Sequence, residues 1–338
     1  AKKHNIPVLG EIEFSSQFCA QPLIAVTGSN GKTTVSTLIH ELLTKKGLRS
    51  CLCGNIGQPF ALYCDKASID YFVLEMSSFQ SESILDAKTA RSTPLPGDAL
   101  CFRGFKPSFA FILNFSENHL DRHKDLDDYF RAKSRLLINM NEADHVYLSA
   151  SSPYLVDLAK ALPLDVTFFD RDEAKDLCQS NNPNHLALYA LADTLGIEKA
   201  MVDEVLTTFK GVEHRLEWVR TIKGVDYIND SKATTAEAAL WAMNSISKPM
   251  TLICGGKDKN IDFIPLSNLM SNKVKRDILF SEAKDNVAAT FSDVIDVIEA
   301  RDIQEAVSKA HDFSQAGECV LLSPMCASFD MFKDYEER

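Results

Sequence analysis

The string Thr27-Gly28-Ser29-Asn30-Gly31-Lys32-Thr33-Thr34 carries the strongest chemical signal in the chain. Glycines let successive backbone N–H groups turn inward around phosphate oxygens, where a Cβ would crowd them. A helix opening at this point adds partial positive charge at its N-terminus. Lys32 can then reach the β- and γ-phosphates, and the Thr33 hydroxyl is placed to ligate Mg²⁺. The spacing is G-x-x-G-K-T, one glycine short of the full phosphate-loop pattern, because Val26 stands where the first glycine would be. A plain strand–helix connection is the competing reading of the string. The order of apolar run, glycine turn and helical pattern favours a nucleoside triphosphate site built from Gly28, Ser29, Asn30, Gly31, Lys32, Thr33 and Thr34.

Transfer of a phosphoryl group calls for Mg²⁺ to neutralise developing charge. Two further strings hold candidate ligands. Glu75, in Glu75-Met76-Ser77-Ser78-Phe79-Gln80, ends the apolar run Tyr71–Leu74. Ligands of open α/β sheets bind at that end of a strand, although a capping or ion-pairing carboxylate would look the same. The run Phe109–Leu113 ends in Asn114-Phe115-Ser116-Glu117-Asn118-His119-Leu120-Asp121-Arg122-His123, which crowds imidazoles and carboxylates at a second strand end. Imidazole is not the preferred ligand of Mg²⁺, and a solvated loop fits as well. Lys133 lies one helical turn beyond Tyr129, so the two share a face; on spacing alone Lys133 reads as a surface lysine.

The elements that would position these residues are strands alternating with helices. Leu23–Val26, Tyr71–Leu74 and Phe109–Leu113 read as buried strands: short, β-branched or aromatic, and bounded by turn formers. Helical spacing marks Thr33–Lys46, Asp127–Met140, Leu186–Leu195 and Lys199–Phe209. The alternation predicts an α/β fold, a parallel sheet with crossover helices. Thr93-Pro94-Leu95-Pro96-Gly97 interrupts the pattern as a loop insertion. Alternation restarts after Lys210-Gly211-Val212-Glu213-His214, with strands at Val225–Ile228, Met250–Cys254, Asp277–Phe280 and Cys319–Leu322. Helices near Ala236–Met243 and Ile303–His311 complete a second, smaller α/β unit.

Composition narrows the function. The 338 residues suffice for two domains with their own cores. Net charge is −11, so sequence-independent nucleic-acid binding is excluded as a reading, and an anionic ligand would need local cations. Nine cysteines, an odd number without C-x-x-C spacing, read as free thiols of a reducing cytosol. No apolar stretch reaches the ~20 residues of a membrane span, and no signal pattern precedes the fold; a cytoplasmic protein without membrane contact is expected.

Several strings together resemble the Mur ligases. Gly28–Thr34, Gly54-Asn55-Ile56-Gly57, Glu75–Gln80 and Asn118–His123 match in the first unit. His214-Arg215-Leu216-Glu217, Asn229-Asp230-Ser231-Lys232-Ala233-Thr234, Gly255-Gly256-Lys257-Asp258-Lys259 and Leu321–Asp330 follow in order in the second. The resemblance implies a central P-loop ATPase domain followed by a Rossmann-like domain. It implies an ATP-dependent amide ligase of peptidoglycan precursor synthesis that joins D-glutamate to UDP-N-acetylmuramoyl-L-alanine through an acyl phosphate. It further implies two Mg²⁺ ions, with Thr33 and Glu75 holding one, and His119 and a carbamylated Lys133 supporting the other. Lys32, His119 and Lys133 would be catalytic. By the same resemblance Asn182, Arg215 and Asp230 would touch the nucleotide. Asn55 and Ser78 would meet substrate, and Lys232, Thr234, Lys259, Ser328 and Tyr335 would surround D-glutamate. A monomer with small-molecule substrates is expected. The sister ligases and folylpolyglutamate synthase are the neighbouring readings, and a nucleotide-binding module without catalysis is the reading from another class.

On that basis the expected division is a linker over 1–20, an ATP-binding domain over 21–212 and an amino-acid-binding domain over 213–338. The family's N-terminal UDP-binding domain would then be missing, leaving UDP-sugar weakly held. The chain departs from the family at Asn118, where Asp is usual, at Asn181 and His185 flanking Asn182, and in the insertion at Pro94–Arg103.

Overall fold

A computed structural model describes residues 9–90, 104–116, 123–258 and 261–338. The chain divides into two compact units, Ala1–Phe209 and Lys210–Arg338. The Thr93–Gly97 insertion, Asn118, His119 and Lys259 lie outside the described residues.

In the first unit the order is α1 (Glu11–Ser16), β1 (Leu23–Thr27), α2 (Lys32–Lys45), β2 (Ser50–Gly54), β3 (Tyr71–Glu75), α3 (Ser78–Glu82), α4 (Ala87–Ala90) and β4 (Phe109–Ile112). There follow α5 (Leu126–Ser134), β5 (His145–Leu148), α6 (Pro153–Ala161), β6 (Val166–Phe168), α7 (Asp172–Cys178), α8 (Pro183–Thr194) and α9 (Lys199–Thr208). The strands form one parallel sheet in the order β2-β3-β1-β4-β5-β6. All five residues of β1 are buried, as a strand covered on both faces requires. Its period-two alternation feeds two cores. Ile24 and Val26 pack with Val35, Leu38 and Leu42 of α2, while Leu23 and Ala25 pack with Phe72, Leu74 and Ile112 on the other side. Strand order runs outward in both directions from β1, which makes its carboxyl end the switch point where ligands bind.

The second unit contains β7 (Glu217–Ile222), β8 (Val225–Asn229), α10 (Ala236–Ser245), β9 (Met250–Cys254), α11 (Ser267–Lys273) and β10 (Val274–Leu279). It closes with α12 (Lys284–Phe291), β11 (Asp296–Glu299), α13 (Ile303–Phe313) and β12 (Cys319–Leu322). The sheet order is β11-β10-β9-β12-β8-β7, parallel except for β7, which pairs antiparallel with β8. Leu252, Cys254 and Leu321 face one core, Ile253 and Val320 the other. All eight described cysteines are free.

The helix expected over Asp127–Met140 is shorter. It ends at Ser134 and continues as a 3₁₀ turn over Arg135–Leu137. The Arg135 guanidinium reaches the Ile84 carbonyl, with Nε at 2.9 Å, and the tighter turn still buries Leu136 and Leu137. Among the described residues, no helix is long and apolar enough to cross a membrane.

Candidate active site

Three loops meet at adjacent strand ends. The phosphate loop leaves β1, Glu75 ends β3, and Asn114 follows β4. Gly31 is the N-cap of α2 with φ 81°, a left-handed conformation that admits glycine most readily. A Cβ there would lie 2.6 Å from Asn184 Oδ1. Asn114 clamps the loop from the neighbouring strand: its Oδ1 accepts from Asn30 N at 2.8 Å, and its Nδ2 donates to Asn30 O at 3.1 Å. Its carbonyl accepts from Ser29 N at 3.2 Å. The Ser29 hydroxyl donates to Ser116 O at 3.0 Å and lies 3.4 Å from the Tyr129 hydroxyl. The loop is thus held open by its neighbours before any phosphate arrives.

Two amines converge on one carbonyl of this loop. Lys32 Nζ donates to Gly28 O at 3.0 Å and to Ser29 O at 3.1 Å, and Lys133 Nζ donates to Gly28 O at 2.8 Å. Lys133 is not a surface residue: it is 1% exposed, with its amine 4.6 Å from the centre of the Tyr129 ring. Helical spacing gave the face it shares with Tyr129 but not that this face points inward. Burial, and next the nearby Lys32 charge, push the amine down to about 6 against the opposing pull of Glu75. At neutral pH this side chain is therefore largely an uncharged amine.

Glu75 is 2% exposed. Its Oε1 accepts from Asn55 Nδ2 at 2.8 Å, while its Oε2 is buried without a hydrogen-bond partner among the described residues. A buried carboxylate oxygen with unused lone pairs beside a phosphate loop fits a hard divalent cation. Thr33, 5% exposed in the first turn of α2, supplies the matching hydroxyl. Lys133 as an amine does not fit such an ion; a carboxylate added to it would. Among the described residues, no cluster of three His, Cys, Asp or Glu side chains is poised to hold a metal.

A residue that the spacing did not single out is His123. It is buried, with Nε2 3.1 Å from Ser78 Oγ and Nδ1 3.5 Å from Asp128 Oδ2. Its ring stacks on Phe79 at 5.8 Å. It ties α3, which follows Glu75, to α5, which carries Lys133. The second histidine of Asn118–His123 was the available signal, and nothing in the spacing separated it from a solvated loop. Asn182 is exposed and caps α8, its side chain accepting from Asn184 N at 3.0 Å.

In the second unit, of the described residues expected around nucleotide and amino acid, Asp230, Lys232 and Thr234 follow β8, Ser328 and Tyr335 follow β12, and Arg215 precedes β7. Asp230 is buried; it accepts from Leu216 N at 3.1 Å and Ser323 Oγ at 2.9 Å. Burial lifts its carboxyl to about 6, against the pull of these hydrogen bonds and of Arg215. Arg215 Nε is itself buried with no partner among the described residues. Lys232 Nζ lies 5.3 Å from the centre of the Tyr335 ring. Thr234 N donates to Lys232 O at 3.0 Å, and Ser328 is buried beneath the turn in which its carbonyl accepts from Phe332 N at 2.9 Å.

A phosphate loop on a parallel sheet, with a carboxylate at the next strand end, defines a P-loop nucleotide-binding unit, here followed by a second α/β unit. Residues 26–189 match the Mur ligase middle domain, and residues 214–326 match the Mur ligase glutamate ligase domain. The chain belongs to the Mur ligase family. It is 36% identical over 374 residues to a UDP-N-acetylmuramoylalanine–D-glutamate ligase of Caldicellulosiruptor bescii, covering 100% of this chain and 78% of that protein. The same-named protein of Koribacter versatilis is 35% identical over 368 residues, covering 100% and 77%. Among solved structures, a MurF ligase of Thermotoga maritima in complex with ADP superposes with a TM-score of 0.66 at 19% identity, over 94% of this chain and 81% of that one. FolC of E. coli in complex with ADP gives 0.65 at 14% identity, over 95% and 92%. These two likenesses establish the fold. The expectation of an ATP-dependent ligase in peptidoglycan precursor synthesis stands on the family membership.

Proposed function

We propose that this protein joins D-glutamate to the L-alanyl carboxylate of UDP-N-acetylmuramoyl-L-alanine, at the expense of ATP. The γ-phosphoryl group passes to a carboxylate oxygen and ADP leaves; the acyl phosphate now carries a good leaving group. The neutral amine of D-glutamate attacks the acyl carbon, and the tetrahedral adduct expels phosphate as the amine loses its proton. Similarity to D-glutamate ligases over the whole of this chain, and 77–78% of theirs, supports this amino acid over those of the sister enzymes. The observation that carries the chemistry is the buried Glu75 Oε2, without a hydrogen-bond partner among the described residues, beside a preformed phosphate loop.

In this reading Lys32 leaves its loop carbonyls for the β- and γ-phosphates. Backbone N–H groups of Gly28–Thr34 line the triphosphate, and Thr33 with Glu75 Oε2 holds Mg²⁺, which neutralises charge on the transferred group. The uncharged Lys133 amine is the form that captures CO₂, and its carbamate, together with His119, supports a second Mg²⁺. Asn55 keeps Glu75 oriented and meets the sugar-linked substrate beside Ser78. Asn182, Arg215 and Asp230 serve the nucleotide, and Lys232, Thr234, Lys259, Ser328 and Tyr335 serve D-glutamate. We place the reaction in the cytoplasm with the protein acting as a monomer, divided at the linker 1–20 and the domains 21–212 and 213–338.

Phosphate release tests the reading. With ATP, Mg²⁺ and UDP-N-acetylmuramoyl-L-alanine present, D-glutamate should drive release well above meso-diaminopimelate, D-alanyl-D-alanine or L-glutamate. ATP binding with no turnover on any of them would leave a nucleotide-binding module instead.

A further inference from the structure

Arg338 has no role in the chemistry described so far, yet its side chain is bound on every side. Nε donates to Ser231 Oγ at 3.0 Å and Nη2 to Ser231 O at 2.7 Å. Nη1 donates to Cys326 O at 3.1 Å and reaches Gly255 O at 3.5 Å. Those oxygens sit in three separate loops, which leave β8, β9 and β12 at neighbouring strand ends. Gly256 is glycine at the same place: a Cβ there would stand 3.2 Å from Arg338 Nη1 and 2.3 Å from Ala327 O. Ser231 Oγ in turn donates to Tyr335 O at 2.7 Å, closing the segment that delivers Arg338 back onto the first loop.

The planar fork explains why arginine stands here. Donors in fixed directions can join three carbonyls, which the compact ammonium of lysine cannot do. All four bonds go to uncharged oxygens, while the charge of Asp330, whose Oδ1 is buried without a hydrogen-bond partner among the described residues, acts on the guanidinium from nearby. Burial lowers the guanidinium to about 10, and at neutral pH it stays charged.

We propose that Arg338 is the positioning residue of the amino-acid subsite: it locks the loops of Ser231, Gly255 and Cys326 into one platform. This rests on the proposed function for the identity of the substrate, not for the geometry of the lock.

The test is steady-state phosphate release by the parent, Arg338→Met, Arg338→Lys and Arg338→Ala, with thermal melting of each. For Arg338→Met, the KM for D-glutamate should rise about 10- to 100-fold while the KM for ATP stays within a factor of about two. Arg338→Lys keeps the charge without the fork and covers the case where Met impairs folding; it should still raise the KM for D-glutamate. Added guanidinium ion should lower that KM in Arg338→Ala and leave the parent unchanged. Parental KM values in Arg338→Lys, or a parallel rise of both KM values with falling melting temperature, would overturn the proposal. If the parent itself prefers another amino acid, the proposed function fails; the KM of that amino acid then decides the case of Arg338 separately.

Discussion

Asp277 sits in the middle of β10, fully buried, and among the described residues receives only the Cys254 thiol, with Sγ 3.1 Å from Oδ1 and 3.3 Å from Oδ2. A thiol is a weak donor and no cation compensates it, so burial lifts the carboxyl from 3.8 to about 7. The folded state therefore keeps a proton that the unfolded chain gives up near pH 4. Stability contributed by the neutral acid is fully present below the unfolded value and is lost as pH rises toward 7. Roughly three pH units at 1.36 kcal/mol each give a total of about 4 kcal/mol, of which about 3 kcal/mol falls between pH 5 and pH 8. Asp277→Asn removes the titration while keeping an oxygen for the thiol. Asp230, lifted to about 6, adds a slope of the same sign, so the difference between parent and variant is the quantity to read. Both tryptophans of the chain, Trp218 and Trp241, lie in the second unit, so urea unfolding followed by tryptophan fluorescence reports on that unit. Relative to the parent, Asp277→Asn should gain about 3 kcal/mol between pH 5 and pH 8, a midpoint shift of about 2 M urea at a slope near 1.5 kcal/mol/M. A parent–variant difference that is flat with pH would refute the assignment of a neutral buried acid.

Lys133→Ala should lower phosphate release by about 10²- to 10³-fold, and a short-chain carboxylate in the buffer should restore part of it in the variant alone. Gly31→Ala should weaken ADP binding in calorimetry by at least about 1 kcal/mol, because the left-handed φ is strained for alanine. Adding Asn184→Ala removes the 2.6 Å clash and should recover only part of the loss. Asn114→Ala deletes both side-chain clasps on Asn30 and should cost about 1–3 kcal/mol of nucleotide affinity, without moving the tryptophan-reported unfolding of the second unit.

Legibility followed the range of the interactions. The phosphate loop is contiguous, its strand is apolar throughout and its glycine turn is local, so its position could be read off the residues. Glu75 was readable as the polar residue ending a buried run. β2, β5, β6, β7 and β11 were not seen. β6 has three residues, and β2 carries two cysteines among polar neighbours. β7, whose pattern Glu-Trp-Val-Arg-Thr-Ile is mostly exposed, is set by its hairpin with β8 and not by burial. Helix limits moved where a side chain found a carbonyl outside the helix, as Arg135 does at Ile84.

The residues that escaped reading act across elements. His123 joins two helices, Asn114 joins two strand ends, and Arg338 joins three loops from one end of the sequence. A parallel sheet brings every strand's carboxyl end to the same edge, so loops far apart in the sequence meet there whatever lies between them; Asn114, for instance, bonds Asn30 at a separation of 84 residues. Topology of this kind makes reactive residues findable as the first polar groups after apolar runs. It leaves their supports unfindable, because a supporting side chain needs only one correctly aimed donor and carries no periodic pattern. The inference for the second unit follows from the same physics. Its three loops have no continuous helix or strand to align them, so a buried multivalent donor such as Arg338 must supply the alignment, and removing it should disturb the bound amino acid before it disturbs the sheet.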